Sequence, residues 1–210
     1  MNRSLAIAAG AALIAVLGSI YLITVGRSSG DNEFAQCRST VIADGGSSIG
    51  GDFTLVDETG QTVTSAEVLD QPSLIYFGYT FCPDVCPLDV ARNAEATEIL
   101  EARGEIVKPV FISIDPQRDT PEVVADFTNA MHPRMLGLTG SPEQVKAASQ
   151  AYRTFYKSHE PEEGEEEYYL VDHSTFTYLT MPGRGFVEFF RRDLTGEQMA
   201  DKVSCFLQAS

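Results

Sequence analysis

The chain has 210 residues, of which 43% are hydrophobic and 21% are charged, and this composition is typical of a globular protein. Its formal net charge at pH 7 is -15. Because the phosphates of a nucleic acid would be repelled by so acidic a protein, the charge argues against nucleic acid as a partner. The length suffices for one ordinary domain with an appendage.

The first predicted element is an apolar segment, residues 5–25, that contains no charged residue. About 20 apolar residues span a bilayer, whereas a cleaved signal peptide usually has a shorter apolar core and a small-residue cleavage site. The segment therefore favours an uncleaved transmembrane anchor at residues 1–26, and a signal peptide is the alternative. Residues 27–51 are rich in Gly, Ser and Asp, which is typical of a linker.

Residues 52–210 are predicted to form one α/β domain. Alternating side chains at 52–57 and 62–64 flank a turn and predict an N-terminal β-hairpin. The continuous apolar runs 74–79 and 107–115 predict strands that are buried on both faces. The order of the predicted strands and helices ends in a C-terminal β-hairpin plus helix, and this order is typical of a thioredoxin-like fold. The remaining predicted elements are helices at 88–103, from 121, from 142 to about 156 and at 195–207, and strands at 136–138, 168–172, 175–181 and 185–190.

Two cysteines follow the first buried run, in the sequence Cys82-Pro83-Asp84-Val85-Cys86-Pro87. Pro87 disfavours a helical conformation at the residue before it, so we expect Cys86 to be the N-cap and Cys82 to lie in the preceding loop. The positive end of a helix favours thiolates, so both sulfurs are expected to be deprotonated near neutral pH. Three intervening residues allow the sulfurs to hold a soft ion such as Cu(I) or to form a redox-active disulfide.

His173 is the candidate for a third ligand, because it lies where an apolar strand gives way to a loop. A lone histidine is more often a structural residue, but the neighbouring Asp172 could orient its imidazole. His132, at a predicted helix end, and His159, at the start of the acidic run 160–167, are weaker candidates.

The other two cysteines, Cys37 and Cys205, lie near the two ends of the soluble part of the chain. Chain ends often lie close together, and two cysteines that meet there would suit a disulfide, which persists in oxidising compartments. The alternative is a pair of unrelated thiols.

Three motifs together resemble a known family: GYTFCPDVCP at 78–87, VFISIDPQRDTP at 110–121 and LVDHSTFTYL at 170–179. In this order they are similar to the Sco/SenC family of membrane-anchored copper-delivery proteins, over about residues 52–206. The resemblance implies a thioredoxin-like domain that binds copper, as Cu(I) or Cu(II), through Cys82, Cys86 and His173. It does not account for Cys37 and Cys205.

The resemblance also implies the partners and the location. The recipient would be the cytochrome c oxidase subunit that carries the binuclear copper (CuA) centre, and a periplasmic copper donor would be a further partner. The short N-terminus lacks an Arg-rich transit sequence, which favours the inner membrane of a bacterium, with the soluble domain in the periplasm.

Two functions stay open at this level. In the first, the protein is a metallochaperone that delivers copper to the CuA site or prepares that site. In the second, it is an enzyme, a thiol–disulfide oxidoreductase that reduces the CuA-site cysteines. The second function requires Cys82 and Cys86 but not His173, and this difference separates the two experimentally.

Overall fold

The structure of the chain is a computed structural model that describes residues 12, 15–19, 34–38, 48–161 and 168–210. Most of the predicted anchor and linker, and residues 162–167 of the acidic run, lie outside the described residues. None of the described helices combines the length and the apolar composition that a membrane crossing requires. The anchor therefore stays a prediction.

From residue 48 onward, the described part of the chain contains nine strands and five helices. The strands are β1 (Thr54–Asp57), β2 (Thr62–Thr64), β3 (Ser73–Gly78), β4 (Lys108–Ser113), β5 (Leu136–Thr139), β6 (Tyr156–Ser158), β7 (Val171–His173), β8 (Thr177–Met181) and β9 (Gly185–Phe190). The helices are α1 (Ser65–Val68), α2 (Val85–Ala102), α3 (Pro121–Met131), α4 (Pro142–Ala151) and α5 (Gly196–Gln208).

Seven of the strands form one mixed sheet, in the spatial order β2-β1-β5-β4-β3-β8-β9. Strands β3, β4 and β5 run parallel, and β8 and β1 join them antiparallel on either side. The two apolar runs become the central strands β3 and β4, which are buried almost throughout. Their carboxyl ends therefore meet at one edge of the sheet, where ligand sites of α/β proteins usually lie.

The predicted α/β order, with an N-terminal β-hairpin and a C-terminal β-hairpin plus helix, is confirmed. Helices α3 and α4 begin at the predicted Thr-Pro and Ser-Pro pairs. The hydroxyl of Thr120 accepts a hydrogen bond from the amide of Val123, and the hydroxyl of Ser141 accepts one from the amide of Gln144. These bonds satisfy amides that have no acceptor within the helix, which is why the chain becomes helical there.

The predicted start of α2 is wrong by three residues. Asp84 is the N-cap, so Cys86 is the second residue of the helix and Pro87 is the third. A proline fits at this position because the first amides of a helix have no intrahelical acceptor in any case. Cys86 is therefore held by the helix itself and not by the loop before it.

The predicted extension of α4 to Tyr156 is also wrong. The helix ends at Ala151, and Arg153 adopts a positive φ of 52° that turns the chain. Tyr156 then begins β6 and pairs with His173 in the antiparallel strand β7. Pairing with a distant strand overrides the local helical preference of this segment. The strand predicted at 168–172 is observed at Val171–His173, as β7.

A disulfide joins Cys37 to Cys205 in α5, with their Cα atoms 5.6 Å apart. Beside it, the ring of Phe34 packs on that of Phe206 with centroids 5.4 Å apart. The bond and the aromatic contact fasten the described segment 34–38 to the last helix.

Candidate metal centre

Three potential metal ligands from distant parts of the chain meet beyond the carboxyl end of β3. Cys82 lies in the loop after β3, Cys86 lies in the first turn of α2, and His173 is the last residue of β7. One ligand atom from each residue lies within 4.8 Å of the other two. Among the described residues, no other group of three or more Cys, His, Asp or Glu side chains has such spacing.

The orientation of the imidazole suits metal binding. The Nε2 atom of His173 lies 3.2 Å from Sγ of Cys86. Its Nδ1 atom lies 2.9 Å from the carbonyl oxygen of Ser174 and, because a carbonyl can only accept, carries the proton. Nε2 is thereby left with a lone pair that points towards the sulfurs. The amide of Cys86 donates a hydrogen bond of 3.3 Å to Sγ of Cys82.

The other two histidines have structural partners elsewhere. His159 lies 2.9 Å from the carboxylate of Asp172, so the predicted role of Asp172 in orienting His173 is wrong. His132 is buried at the end of α3, where its Nδ1 atom accepts a hydrogen bond from the amide of Arg134.

The candidate centre is buried but opens to solvent on one side. Cys86 is fully buried and Cys82 is 8% exposed, whereas His173 is half-buried. A cavity of about 400 Å³ is lined by Cys82 and His173, with Tyr79 and Leu170 in its walls, and Cys86 is not among its lining residues. A molecule that enters the cavity therefore meets Cys82 and His173 before it meets Cys86.

The two sulfurs differ in protonation. The hydrogen bond from the Cys86 side chain, helped by the amides of Asp84 and Cys86, lowers the pKa of the Cys82 thiol to about 4. The same sulfur–sulfur contact, together with burial, raises the pKa of Cys86. The expectation of two thiolates near neutral pH is therefore wrong, because the pair keeps one proton that a metal must release.

We expect the reduced, metal-free protein to carry one thiolate at neutral pH and to lose it only on acidification to about pH 4. Thiolate absorbance in the far ultraviolet, followed during an acid titration, measures this. Cys82→Ser should abolish the signal, and Cys86→Ala should raise the pKa of Cys82 because its strongest donor is lost. Absorbance that develops only near pH 8.5, about the ordinary pKa of a cysteine, would contradict the assignment.

Two tyrosine rings hold the imidazole of His173 edge-on. The ring centroid of Tyr76 lies 6.2 Å from that of His173, and the centroid of Tyr79 lies 5.9 Å away. The hydroxyl of Tyr76 donates to the buried carboxylate of Asp89 at 3.0 Å, and the hydroxyl of Tyr79 accepts from the amide of Val171 at 3.2 Å. Tyr76 and Asp89 are not predicted from the sequence, since an apolar run indicates only a buried strand.

Gly78, the last residue of β3, leaves the room that Cys86 needs. A Cβ atom at this position would lie 2.8 Å from the ring of Tyr76 and 3.1 Å from Sγ of Cys86. We expect Gly78→Ala to lower the free energy of unfolding by about 1–3 kcal/mol, because neither group can move without strain. Urea denaturation measures the effect, and a midpoint equal to that of the parent protein would show that the contact is not tight.

Comparisons with known proteins give matches along most of the chain. The family model described as SCO1/SenC matches residues 42–208. Protein SenC of Rhodobacter capsulatus is 49% identical over 208 residues, which are 99% of this chain and 92% of that protein.

Solved structures of similar proteins share the fold. The crystal structure of Arabidopsis thaliana ScoI with copper bound matches with a TM-score of 0.72 and 39% identity, over 77% of this chain and 99% of that one. The crystal structure of yeast Sco1 with copper bound matches with a TM-score of 0.72 and 36% identity, over 78% of this chain and 90% of that one.

Proposed function

This chain belongs to the SCO1/SenC family, and we propose that it binds copper through Cys82, Cys86 and His173 and delivers it to the CuA site of cytochrome c oxidase. The observation that carries the proposal is the convergence of two sulfurs and one imidazole nitrogen within 4.8 Å. The copper bound in the solved relatives from Arabidopsis thaliana and yeast supports the choice of metal.

The chemistry of the donor set also favours copper. Thiolate sulfur is a soft ligand that selects Cu(I), and imidazole binds both Cu(I) and Cu(II). A structural zinc site usually closes with four protein ligands, whereas the described residues place three ligand atoms in this cluster. A three-ligand site leaves a position at which a ligand from another protein can bind.

The shape of the site suits transfer of the ion. An incoming ligand that uses the cavity approaches beside Cys82 and His173, while Cys86 lies beneath them. Exchange can then proceed stepwise, with one bond to copper forming as another breaks and no electron transferred. Cys86 is the last of the three ligands to release the ion.

We also propose the location expected from the sequence: the inner membrane of a bacterium, with an anchor at residues 1–26 and the soluble domain in the periplasm. The disulfide between Cys37 and Cys205 supports an oxidising compartment. The proposed partners are the oxidase subunit that carries the CuA site and a periplasmic copper donor.

The geometry of the two cysteines favours a second function, reduction of a disulfide between the CuA-site cysteines, because Sγ of Cys82 accepts a hydrogen bond from the amide of Cys86 in the first turn of α2. A thiolate at Cys82 beside a protonated Cys86 is the pair that such an exchange needs. The thiolate of Cys82 would attack one sulfur of the partner's disulfide, forming a mixed disulfide as the partner's S–S bond breaks and its other sulfur leaves as a thiolate. Cys86, losing its proton, would then attack Cys82, releasing the second partner thiol and leaving this chain oxidised by two electrons.

Incubation with the CuA domain of the oxidase subunit distinguishes the two functions. The copper-loaded full chain in detergent is mixed with the reduced, metal-free domain, and the absorption of the assembled CuA centre is followed. Delivery predicts that the parent chain assembles the centre and that His173→Ala does not. If the parent chain assembles none, while His173→Ala reduces the oxidised domain as fast as the parent, the oxidoreductase function replaces delivery.

A further inference from the structure

The loop between β4 and α3 holds the segment that carries the first cysteine. Asp119 in this loop is fully buried, and its carboxylate accepts hydrogen bonds from the hydroxyl of Thr80 at 2.6 Å and from the amide of Thr80 at 3.1 Å. The same carboxylate accepts a bond of 2.5 Å from the hydroxyl of Ser113, at the end of β4. Thr80 lies in the cysteine loop, residues 79–84, two residues before Cys82. Asp119 therefore connects the cysteine loop to the central sheet through hydrogen bonds.

The same loop also holds the segment that leads to His173. The buried carboxylate of Asp115 accepts a hydrogen bond of 2.6 Å from the hydroxyl of Tyr169 and one of 2.5 Å from Nε of Arg118. The guanidinium carbon of Arg118 lies 3.6 Å from the ring centroid of Tyr169 and 4.9 Å from that of Phe81. Tyr169 belongs to the histidine segment, residues 168–173, and Phe81 belongs to the cysteine loop. The guanidinium group of Arg118 therefore contacts both segments.

These contacts matter because strand pairing joins the two segments only at a distance from the ligands: Thr177, four residues after His173, pairs with Tyr76 in β3. His173 lies in the two-stranded sheet of β6 and β7, which does not pair with the seven-stranded sheet that leads to the cysteines. In the described part of the chain, no strand pair joins β7 itself to the seven-stranded sheet, so side-chain contacts contribute to the separation of the imidazole from the sulfurs.

We propose that Asp115, Arg118 and Asp119 are positioning residues that fix the separation between the His173 imidazole and the two sulfurs, and so set the affinity for copper. This inference rests on the proposed function. The carboxylate of Asp119 is engaged by a donor from the cysteine loop, that of Asp115 by donors from the histidine segment and from Arg118, and neither residue belongs to the ligand cluster. They act on copper through the residues that they hold.

Two conservative variants test the proposal, one on each side of the loop. Thr80→Val removes the hydroxyl that donates to Asp119, and Tyr169→Phe removes the hydroxyl that donates to Asp115 but keeps the ring that contacts Arg118. In the full chain, each variant is expected to lower copper affinity about 10–100-fold. Each should also shift the thiolate-to-Cu(II) charge-transfer band of the saturated protein.

Tyr168→Phe is the matched control, because Tyr168 is the adjacent tyrosine and its side chain is 75% exposed. It should reproduce the affinity and the spectrum of the parent chain. A merely structural role predicts that Thr80→Val and Tyr169→Phe lower the denaturation midpoint but keep the parent's copper affinity and saturated spectrum, and this result would overturn the proposal. Failure of the proposed function looks different, since the parent chain would then bind copper no better than Cys82→Ser.

Discussion

Replacement of Cys82 by Ser, of Cys86 by Ser or of His173 by Ala is expected to weaken copper binding by about a hundredfold or more. Structural zinc sites with four ligands have binding free energies of about 10–16 kcal/mol, or about 3 kcal/mol for each ligand, and we expect a similar contribution from each ligand to copper. Since about 1.4 kcal/mol is a factor of ten, the loss of one ligand costs at least two powers of ten.

Competition with a Cu(I) chelator of known affinity measures these losses in the full chain. His159→Ala is the matched control, because this histidine lies outside the ligand cluster and pairs with Asp172. It should retain the affinity of the parent chain. Retention of copper by all three ligand variants at the parent's affinity would remove the basis of the proposed function.

Removal of the Cys37–Cys205 disulfide is expected to lower the free energy of unfolding by about 2–5 kcal/mol. The bond joins residues 168 positions apart, so it restricts the unfolded chain more than a bond across a short loop would. Copper affinity should change little, because Cys37 belongs to the core cluster around α5 whereas Cys82 and Cys86 belong to the other cluster.

Urea denaturation of a Cys37→Ser/Cys205→Ser double variant, with the parent chain kept oxidised, measures this contribution. The variant should unfold at a lower urea concentration and still bind copper with the affinity of the parent. A loss of stability below about 0.5 kcal/mol, the size of an ordinary surface substitution, would mean that the bond does not constrain the unfolded chain as expected.

Much of the main sheet could be predicted because its signals are local. The runs that become β3 and β4 are continuously apolar, and the Thr-Pro and Ser-Pro pairs mark the starts of α3 and α4 through bonds within a few residues. The start of α2 at Val85 was not predictable in this way, since a proline is compatible with several positions of a first helical turn. Strand β6 could not be found either, because it exists only through its pairing with β7.

In the candidate metal centre, too, some features have a local sequence signal and others depend on contacts between distant parts of the chain. The spacing of Cys82 and Cys86 indicates a dithiol, and the position of His173 at the end of a predicted strand makes it a candidate for the third ligand, but only the family resemblance implies that it binds copper together with them. The contacts of Tyr76 with His173 and of Asp119 with Thr80 depend on how separate elements pack, and no spacing along the chain encodes them. The difference in pKa between the two cysteines likewise follows from a sulfur–sulfur contact that only the fold creates.

The central claim is that one copper ion is held by both cysteine sulfurs and by the His173 imidazole. Copper-edge X-ray absorption of the Cu(I)-loaded full chain, compared with that of His173→Ala, tests it most directly. We predict two sulfur neighbours and one nitrogen neighbour in the parent chain, and loss of the nitrogen in the variant. Identical nearest neighbours in both proteins would show that the imidazole is not a ligand and would contradict the claim.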